Sequence, residues 1–216
     1  GLARSGYIGM APGADIIAVK GSREINSGGG FGDVDIVNGV QYIFTKAATL
    51  NEPAVVNLSL GGHFGAHDGT SLLDQSISGL VGPGKIVVAS AGNEGSAYIH
   101  AGYPVQAGTG YSDALETMIS PDPGSTQIVA DLWYPGSPSS VSVGIAAYLP
   151  GNYAAPLAVT AVVAPGQVIE GVNLQSAGTT LGFVTIDART LADPNNGSRR
   201  VFFLLEDRGS GNLTGV

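Results

Sequence analysis

The chain has 216 residues, 44% of them hydrophobic and only 12% charged, which excludes a disordered tail and leaves apolar material for one large domain or two small ones. A formal net charge of −8 argues against a nucleic-acid partner, because phosphate binding needs clustered Lys and Arg. The absence of Cys excludes disulfides, thiolate zinc sites and a cysteine nucleophile, without fixing the compartment.

Up to about residue 97, strand and helix patterns alternate. Ile16 to Lys20 reads as a short apolar strand. Asp33 to Leu50 has helical spacing, with Val34, Val37, Val40 (or Gln41) and Phe44 on one stripe, and Asp33 and Asp35 suit a helix N-terminus. Ala54 to Leu60 is the next strand and Ser71 to Leu80 the next helix, ended by Pro83-Gly84; Ile86 to Ser90 is a third strand. This alternation predicts a parallel sheet with helical crossovers.

After about residue 100 helical periodicity disappears. β-rich runs recur at Gln127–Tyr134, Val141–Leu149, Leu157–Ala164, Val168–Leu174, Leu181–Asp187 and Val201–Glu206. Pro135-Gly136-Ser137-Pro138, Pro150-Gly151-Asn152, Pro165-Gly166 and Asp193-Pro194-Asn195-Asn196-Gly197 separate them. The spacing predicts an antiparallel sandwich or jelly roll. A boundary in the Gly-, Ala- and Tyr-rich stretch 97–110 gives two domains, 1–101 and 102–216. No apolar run approaches the ~18 residues of a membrane span and no signal-peptide pattern opens the chain. It starts abruptly at Gly1-Leu2-Ala3, as a cut from a longer protein would.

Three blocks stand out in the first half. They are Gly9-Met10-Ala11-Pro12-Gly13-Ala14 leading into Ile16–Lys20, then Val55-Val56-Asn57-Leu58-Ser59-Leu60-Gly61-Gly62, then Ala89-Ser90-Ala91-Gly92-Asn93-Glu94-Gly95. In the last, an apolar run stops at a small-residue turn that offers one amide donor where open α/β sheets place their ligands. In this order and spacing the blocks resemble the middle of a subtilisin-like serine protease (subtilase, peptidase S8 family), over roughly residues 1–97. The resemblance implies an α/β fold: the central part of a subtilisin-like parallel sheet with flanking helices. In position, residues 102–216 resemble the antiparallel β-sandwich or jelly roll inserted between the oxyanion Asn and the nucleophilic Ser in some large subtilases. Asp131-Leu132-Trp133-Tyr134 and Arg199-Arg200-Val201-Phe202 fit that insert, with Trp133 as a core anchor.

The resemblance also implies roles. Asn93 corresponds to the side-chain oxyanion donor. Ser59, Leu60 and Gly61 correspond to one wall of the S1 pocket, and Ala91 and Gly92 to the other. Gly28, Gly29, Gly30 and Phe31 resemble, more loosely, the edge that pairs with substrate upstream of P1; Phe31 reads equally well as an apolar residue packed before the helix. Glu94 fits a solvated turn carboxylate better than a selector of basic P1 residues. The substrate would be a polypeptide and the parent secreted or at the cell surface, with no cofactor, nucleic acid or membrane implied and any calcium site unreadable.

Departures from the family pattern matter as much. The family's Asp block and His-Gly-Thr-His helix have no counterpart, and His63, His67 and His100 lack that context. Gly69-Thr70-Ser71 mimics the nucleophile sequence, but Leu72-Leu73 follows it and it precedes Asn93. Asp68, Thr70 or Ser71 as a helix cap, with Asp74 three residues beyond Ser71, explains it better. His63 and His67 lack the neighbouring acid of a metalloprotease motif. Gly79-x-x-x-x-Gly84-Lys85 fails as a phosphate loop at Ile86, and Gly28-x-Gly30 fails as a dinucleotide fingerprint at Asp33. The expected protein is therefore an internal protease fragment that is inert by itself and prone to self-association through unpaired sheet edges. A pseudoprotease or adhesion module is the alternative.

Overall fold

The computed structural model describes residues 9–21, 30–102, 117–121, 124–137, 140–209 and 213. The chain divides into two compact units: the first runs to Gly62 and resumes over Ser71–Gly92, and the second comprises His63–Thr70 and the chain from Asn93 onward.

In the first unit, helix α1 spans Asp33–Leu50. Its buried stripe is Ile36, Val40, Phe44 and Ala47, at spacings of four, four and three, so it runs one step away from the expected Val34–Val37 line. Val34 is 68% exposed because the i, i+4 ridge, and not the i, i+3 one, meets the sheet. Asp33 and Asp35 lie in the first turn, and Asn51 closes the helix in a left-handed conformation (φ 55°). There its N–H and that of Glu52 reach back to Ala48 and Ala47 carbonyls.

Strand β1 (Ala54–Leu58) lies parallel to β2 (Lys85–Ala89), in a register that sets Ala54 beside Lys85 and Leu58 beside Ala89. Helix α2 (Leu72–Leu80) forms the crossover. Ser71 caps it, accepting from the Asp74 N–H at 3.1 Å and donating to the Asp74 carboxylate at 2.6 Å. Val40, Phe44 and Val56 form the core, flanked by Ile43, Ala54, Leu58, Leu80 and Val87. The opposite face is uncovered, with Val55 65%, Ile86 52% and Val88 49% exposed.

The expected strand at Ile16–Lys20 forms no ladder among the described residues, and β1 and β2 make a two-stranded sheet. Val19 instead packs on Gly39 of α1, while Ile16 is 73% exposed. An apolar run records a preference for burial but not the presence of a hydrogen-bonding neighbour.

The second unit centres on a four-stranded antiparallel sheet in the order β3-β8-β7-β6: β3 Gln127–Pro135, β6 Val168–Ser176, β7 Thr179–Asp187 and β8 Ser198–Glu206. The β6–β7 hairpin turns on Ala177 and Gly178, both at positive φ, as a two-residue turn that matches strand twist requires. Of the expected strands at 141–149 and 157–164, only β4 (Ala146–Ala147) and β5 (Ala158–Val159) form a ladder, with an isolated bridge from Val143 to Val163. The ladder breaks where the Ile145 N–H donates to the Thr160 hydroxyl instead of to a carbonyl.

One core serves this unit. Tyr134, Ala147, Val163, Leu174, Leu181, Val184, Ile186 and Val201 all belong to it. Gly182 sits in a tight place within it, since a Cβ there would stand 2.8 Å from Leu205 and 3.1 Å from both the Glu206 carbonyl oxygen and Leu213, and these neighbours would have to shift. Trp133 is only half-buried and lies outside this core, because strand alternation gives the core-facing places to Leu132 and Tyr134.

Candidate active site

The C-terminal ends of β1 and β2 are tied by one residue. Ser90 donates its N–H to the Leu58 carbonyl at 3.0 Å, continuing the parallel ladder, and its hydroxyl to the Leu60 carbonyl at 3.2 Å. This brings Ser59, Leu60 and Gly61 alongside Ser90, Ala91 and Gly92. Ser59, Gly61, Ala91 and Gly92 are exposed and Leu60 is half-buried. The Ser59 hydroxyl accepts from Asn57 Nδ2 at 2.9 Å, which turns it back along its own strand. Gly92 sits at φ 88°, a conformation that other residues resist, and it bends the chain sharply as β2 ends.

Asn93 follows directly. Its side chain is exposed and takes no hydrogen-bond partner among the described residues. Its backbone N–H donates to Glu94 Oε2 at 2.8 Å, and Glu94 Oε1 lies 4.0 Å from His63 Nε2. Glu94 is thus a half-buried turn carboxylate that braces the backbone of its neighbour.

Gly30 and Phe31 are described, whereas Gly28 and Gly29 lie outside the described residues. One edge of the Phe31 ring meets Gly21, where a Cβ would come within 2.3 Å of it, while the residue is 45% exposed. No hydrogen bond joins Gly30 or Phe31 to the tied strand ends among the described residues.

How the loop after Gly62 is held is not legible in the sequence. Gly65 N–H donates to Asp131 Oδ2 at 3.1 Å, and Asn196 Nδ2 donates to both Asp68 Oδ2 and Thr70 Oγ1 at 2.9 Å. Thr70 gives its N–H and hydroxyl to Asp68 Oδ1, and these bonds, the hydroxyl one first, hold the Asp68 carboxyl below its usual range. Asp131 also accepts from Trp133 Nε1 at 3.0 Å and from Arg200 Nε at 2.5 Å, with its side chain only 6% exposed. The Asn-Asn-Gly turn at 195–197 was legible only as a turn. No spacing rule links Asp131 to Gly65 or Asn196 to Asp68. His67 Nε2 faces the His63 carbonyl at 3.2 Å, and among the described residues no cluster of three or more His, Asp or Glu side chains could hold a metal ion.

A sequence model of the subtilase family matches residues 3–185. The chain belongs to the subtilase family. The match runs well past residue 97, where the sequence motifs stop, and into the second unit. A subtilisin of Bacillus sp. (strain TA39) is 26% identical over 191 residues, covering 88% of this chain and 40% of that protein. Subtilisin DY of Bacillus licheniformis is 36% identical over 92 residues, 43% of this chain and 29% of its own length. The solved structure of the Clostridium perfringens CspB protease superposes with a TM-score of 0.60 at 19% identity, covering 85% of this chain and 35% of that one, a likeness of fold. The chain therefore spans well under half the length of these relatives. No helix among the described residues is long and apolar enough to cross a membrane.

Proposed function

We propose that these residues are an internal part of a secreted subtilisin-like serine endopeptidase that hydrolyses peptide bonds through an acyl-enzyme. In this reading a Ser attacks, a His takes its proton and an Asp orients the His. All three are supplied from outside the 216 residues, in which none of the family's three triad motifs occurs. Asn93 supplies the side-chain donor of the oxyanion hole, stabilising charge without moving a proton.

The observation that carries the reading is the Ser90 tie. It holds two parallel strand ends together immediately before a positive-φ glycine and an exposed asparagine whose amide is unengaged. Ligands of open α/β sheets bind at such ends. The small side chains of Ser59, Gly61, Ala91 and Gly92, with Leu60 between, leave room for a P1 side chain and backbone for pairing with a peptide. Gly28–Phe31 is the looser candidate for pairing upstream of P1. Residues 102–216 form the inserted β-sandwich in this reading, and the packing of Ala147 and Val163 into the core of the four-stranded sheet supports a second layer.

In the full-length protein, Asn93→Ala lowers kcat by ~10²–10³ with KM nearly unchanged, because the amide meets the oxyanion and not the ground-state carbonyl. That magnitude is the known one for the equivalent donor of subtilisin, so only the placement is new. Asn93→Asp is at least as harmful, since it sets a carboxylate against developing negative charge. Steady-state kinetics with unchanged kcat in both variants would remove Asn93 from the active site. The missing triad motifs also favour a second reading, a pseudoprotease or adhesion module. Flanking sequence lacking the His-Gly-Thr-His and Gly-Thr-Ser-Met-Ala patterns would select it.

A further inference from the structure

Asn-Gly occurs twice in the sequence, at Asn38-Gly39 and Asn196-Gly197. Asn38 lies inside α1, where the helical ladder engages the N–H of the glycine that follows it. Asn196-Gly197 lies in the β7–β8 turn, within the second unit. Two features there favour attack on the Asn196 side chain. Its Oδ1 accepts the Ser198 N–H at 2.8 Å, so a donor already faces the oxygen on which charge would develop. Gly197, at φ 72°, has no side chain to crowd its own nitrogen against Asn196 Cγ. Two other contacts restrain that attack. The Gly197 N–H donates to the Asp193 carbonyl at 2.7 Å, and this bond must open before the nitrogen can react. Asn196 Nδ2 donates to Asp68 Oδ2 and Thr70 Oγ1, both at 2.9 Å, which fixes the amide in place. The Thr70 hydroxyl, and then its N–H, hold the Asp68 carboxyl below its usual range, so it stays an ionised acceptor.

We propose that Asn196 is a self-modification site, locked in the folded chain by Asp68 and Thr70, and that its conversion releases residues 63–70 from the β7–β8 turn. When the turn opens, the Gly197 nitrogen gives its proton to water or hydroxide and attacks Asn196 Cγ. An N–Cγ bond forms, the Cγ–Nδ2 bond breaks, and Nδ2 leaves as ammonia with a proton taken from water. Water then opens the cyclic imide at either carbonyl, leaving an aspartate or its β-linked isomer, with nothing oxidised or reduced. The product lacks both Nδ2 donors and sets a second carboxylate against Asp68, so the contact does not re-form. Ammonia is lost to solvent and the step runs one way, at a rate that follows the fraction of time the turn spends open.

Incubation of the chain at mildly alkaline pH, followed by peptide mass mapping, measures conversion at 196. It should run at least about tenfold slower in the folded chain than in the same chain unfolded in urea. Asp68→Ala should accelerate it by about tenfold in the folded chain, as the loss of a hydrogen bond to a charged acceptor implies, with the rate at Asn38 unchanged. Hydrogen exchange in β7 checks that the second unit of the variant stays folded. If that protection is lost, Thr70→Val, which removes one hydroxyl, decides instead, with faster conversion at 196 again expected. Converted chain, separated by its added charge, should exchange amide hydrogens across 63–70 about tenfold faster than unconverted chain. No conversion in urea overturns the site, and equal rates in folded and unfolded chains overturn the lock. An unchanged rate in the folded variant removes Asp68 and Thr70 from it. Unchanged exchange across 63–70 in converted chain overturns the release.

Discussion

In the first unit Val56 lies under α1 while Val55, Ile86 and Val88 stay open on the other side of the same two strands. In the second, Val184, Ile186 and Val201 are fully buried in a core that also takes residues from β4 and the Val143–Val163 bridge. The difference follows from how the strands pair. Parallel strands joined by helices are made for cover on both faces, whereas antiparallel strands need it on one. The β-rich unit thus completes its own core within these residues. The α/β unit buries one face, and on the other Val55, Ile86 and Val88 stay exposed.

Ile186→Ala should be the most damaging change, at about 3–4 kcal/mol, since its side chain is wholly enclosed. Val56→Ala should cost about half as much. Hydrogen exchange should show the first loss in β7 and the second in β1; equal losses in both strands from either variant would break the distinction between the units. Asp131→Ala should cost about 2–3 kcal/mol, because it strips a hydrogen-bond acceptor from Arg200, Trp133 and Gly65 at once. Trp133 is the single tryptophan, so its emission reports on that cluster alone, and an unshifted spectrum would count against the network.

Ala177→Asn should stabilise the second unit by about 0.5–1 kcal/mol, because Asn tolerates the left-handed conformation that Ala177 holds at φ 48°. An unchanged urea midpoint would show that the turn contributes nothing. The smallest effect is an acid one. The Arg189 side chain, above all, and then its backbone N–H hold the Asp187 carboxyl below its usual range, against the opposing effect of partial burial. A carboxyl depressed in the folded state contributes stability above about pH 4 and loses it as the pH falls through the folded value. Both side chains are partly exposed, so solvent screening keeps the contribution of the pair small. Arg189→Ala should lower the urea midpoint slightly at pH 6 and by progressively less as the pH falls below about 4.

Much of this was legible where the signal is local. Helix α1 was readable to both ends because Asp33, Asp35 and the periodic apolar residues carry their information within a few turns. A cap for α2 was legible among Asp68, Thr70 and Ser71, and it is Ser71, three residues before Asp74, that takes the place. The parallel pairing of β1 and β2 followed from the crossover between them. What stayed hidden depends on partners remote in sequence. Ile16–Lys20 has the composition of a strand and no ladder to join. The Thr160 hydroxyl cuts short a ladder that composition alone would continue. Asp131 looked like one residue of a β motif, but Gly65 and Arg200, both remote in sequence, meet Trp133 of its own strand on it. At the candidate site the chain order of small residues was visible, whereas the Ser90 hydroxyl bond that ties the two strand ends was not.

The pairing of β3 with β8 has a consequence for how the second unit assembles. β6 and β7 are joined by a two-residue turn and can zip within microseconds, whereas the β3–β8 register, from Pro135 beside Ser198 to Gln127 beside Glu206, first requires closing a loop of about sixty residues. Non-local pairings of this kind slow folding, so β3 should dock last onto a preformed β6–β7–β8 meander. The Arg200–Asp131 bond crosses that final seam, so the Gly65 bond to Asp131 forms only when the last strand arrives, whereas the Asn196 bonds to Asp68 and Thr70 need only the β7–β8 turn.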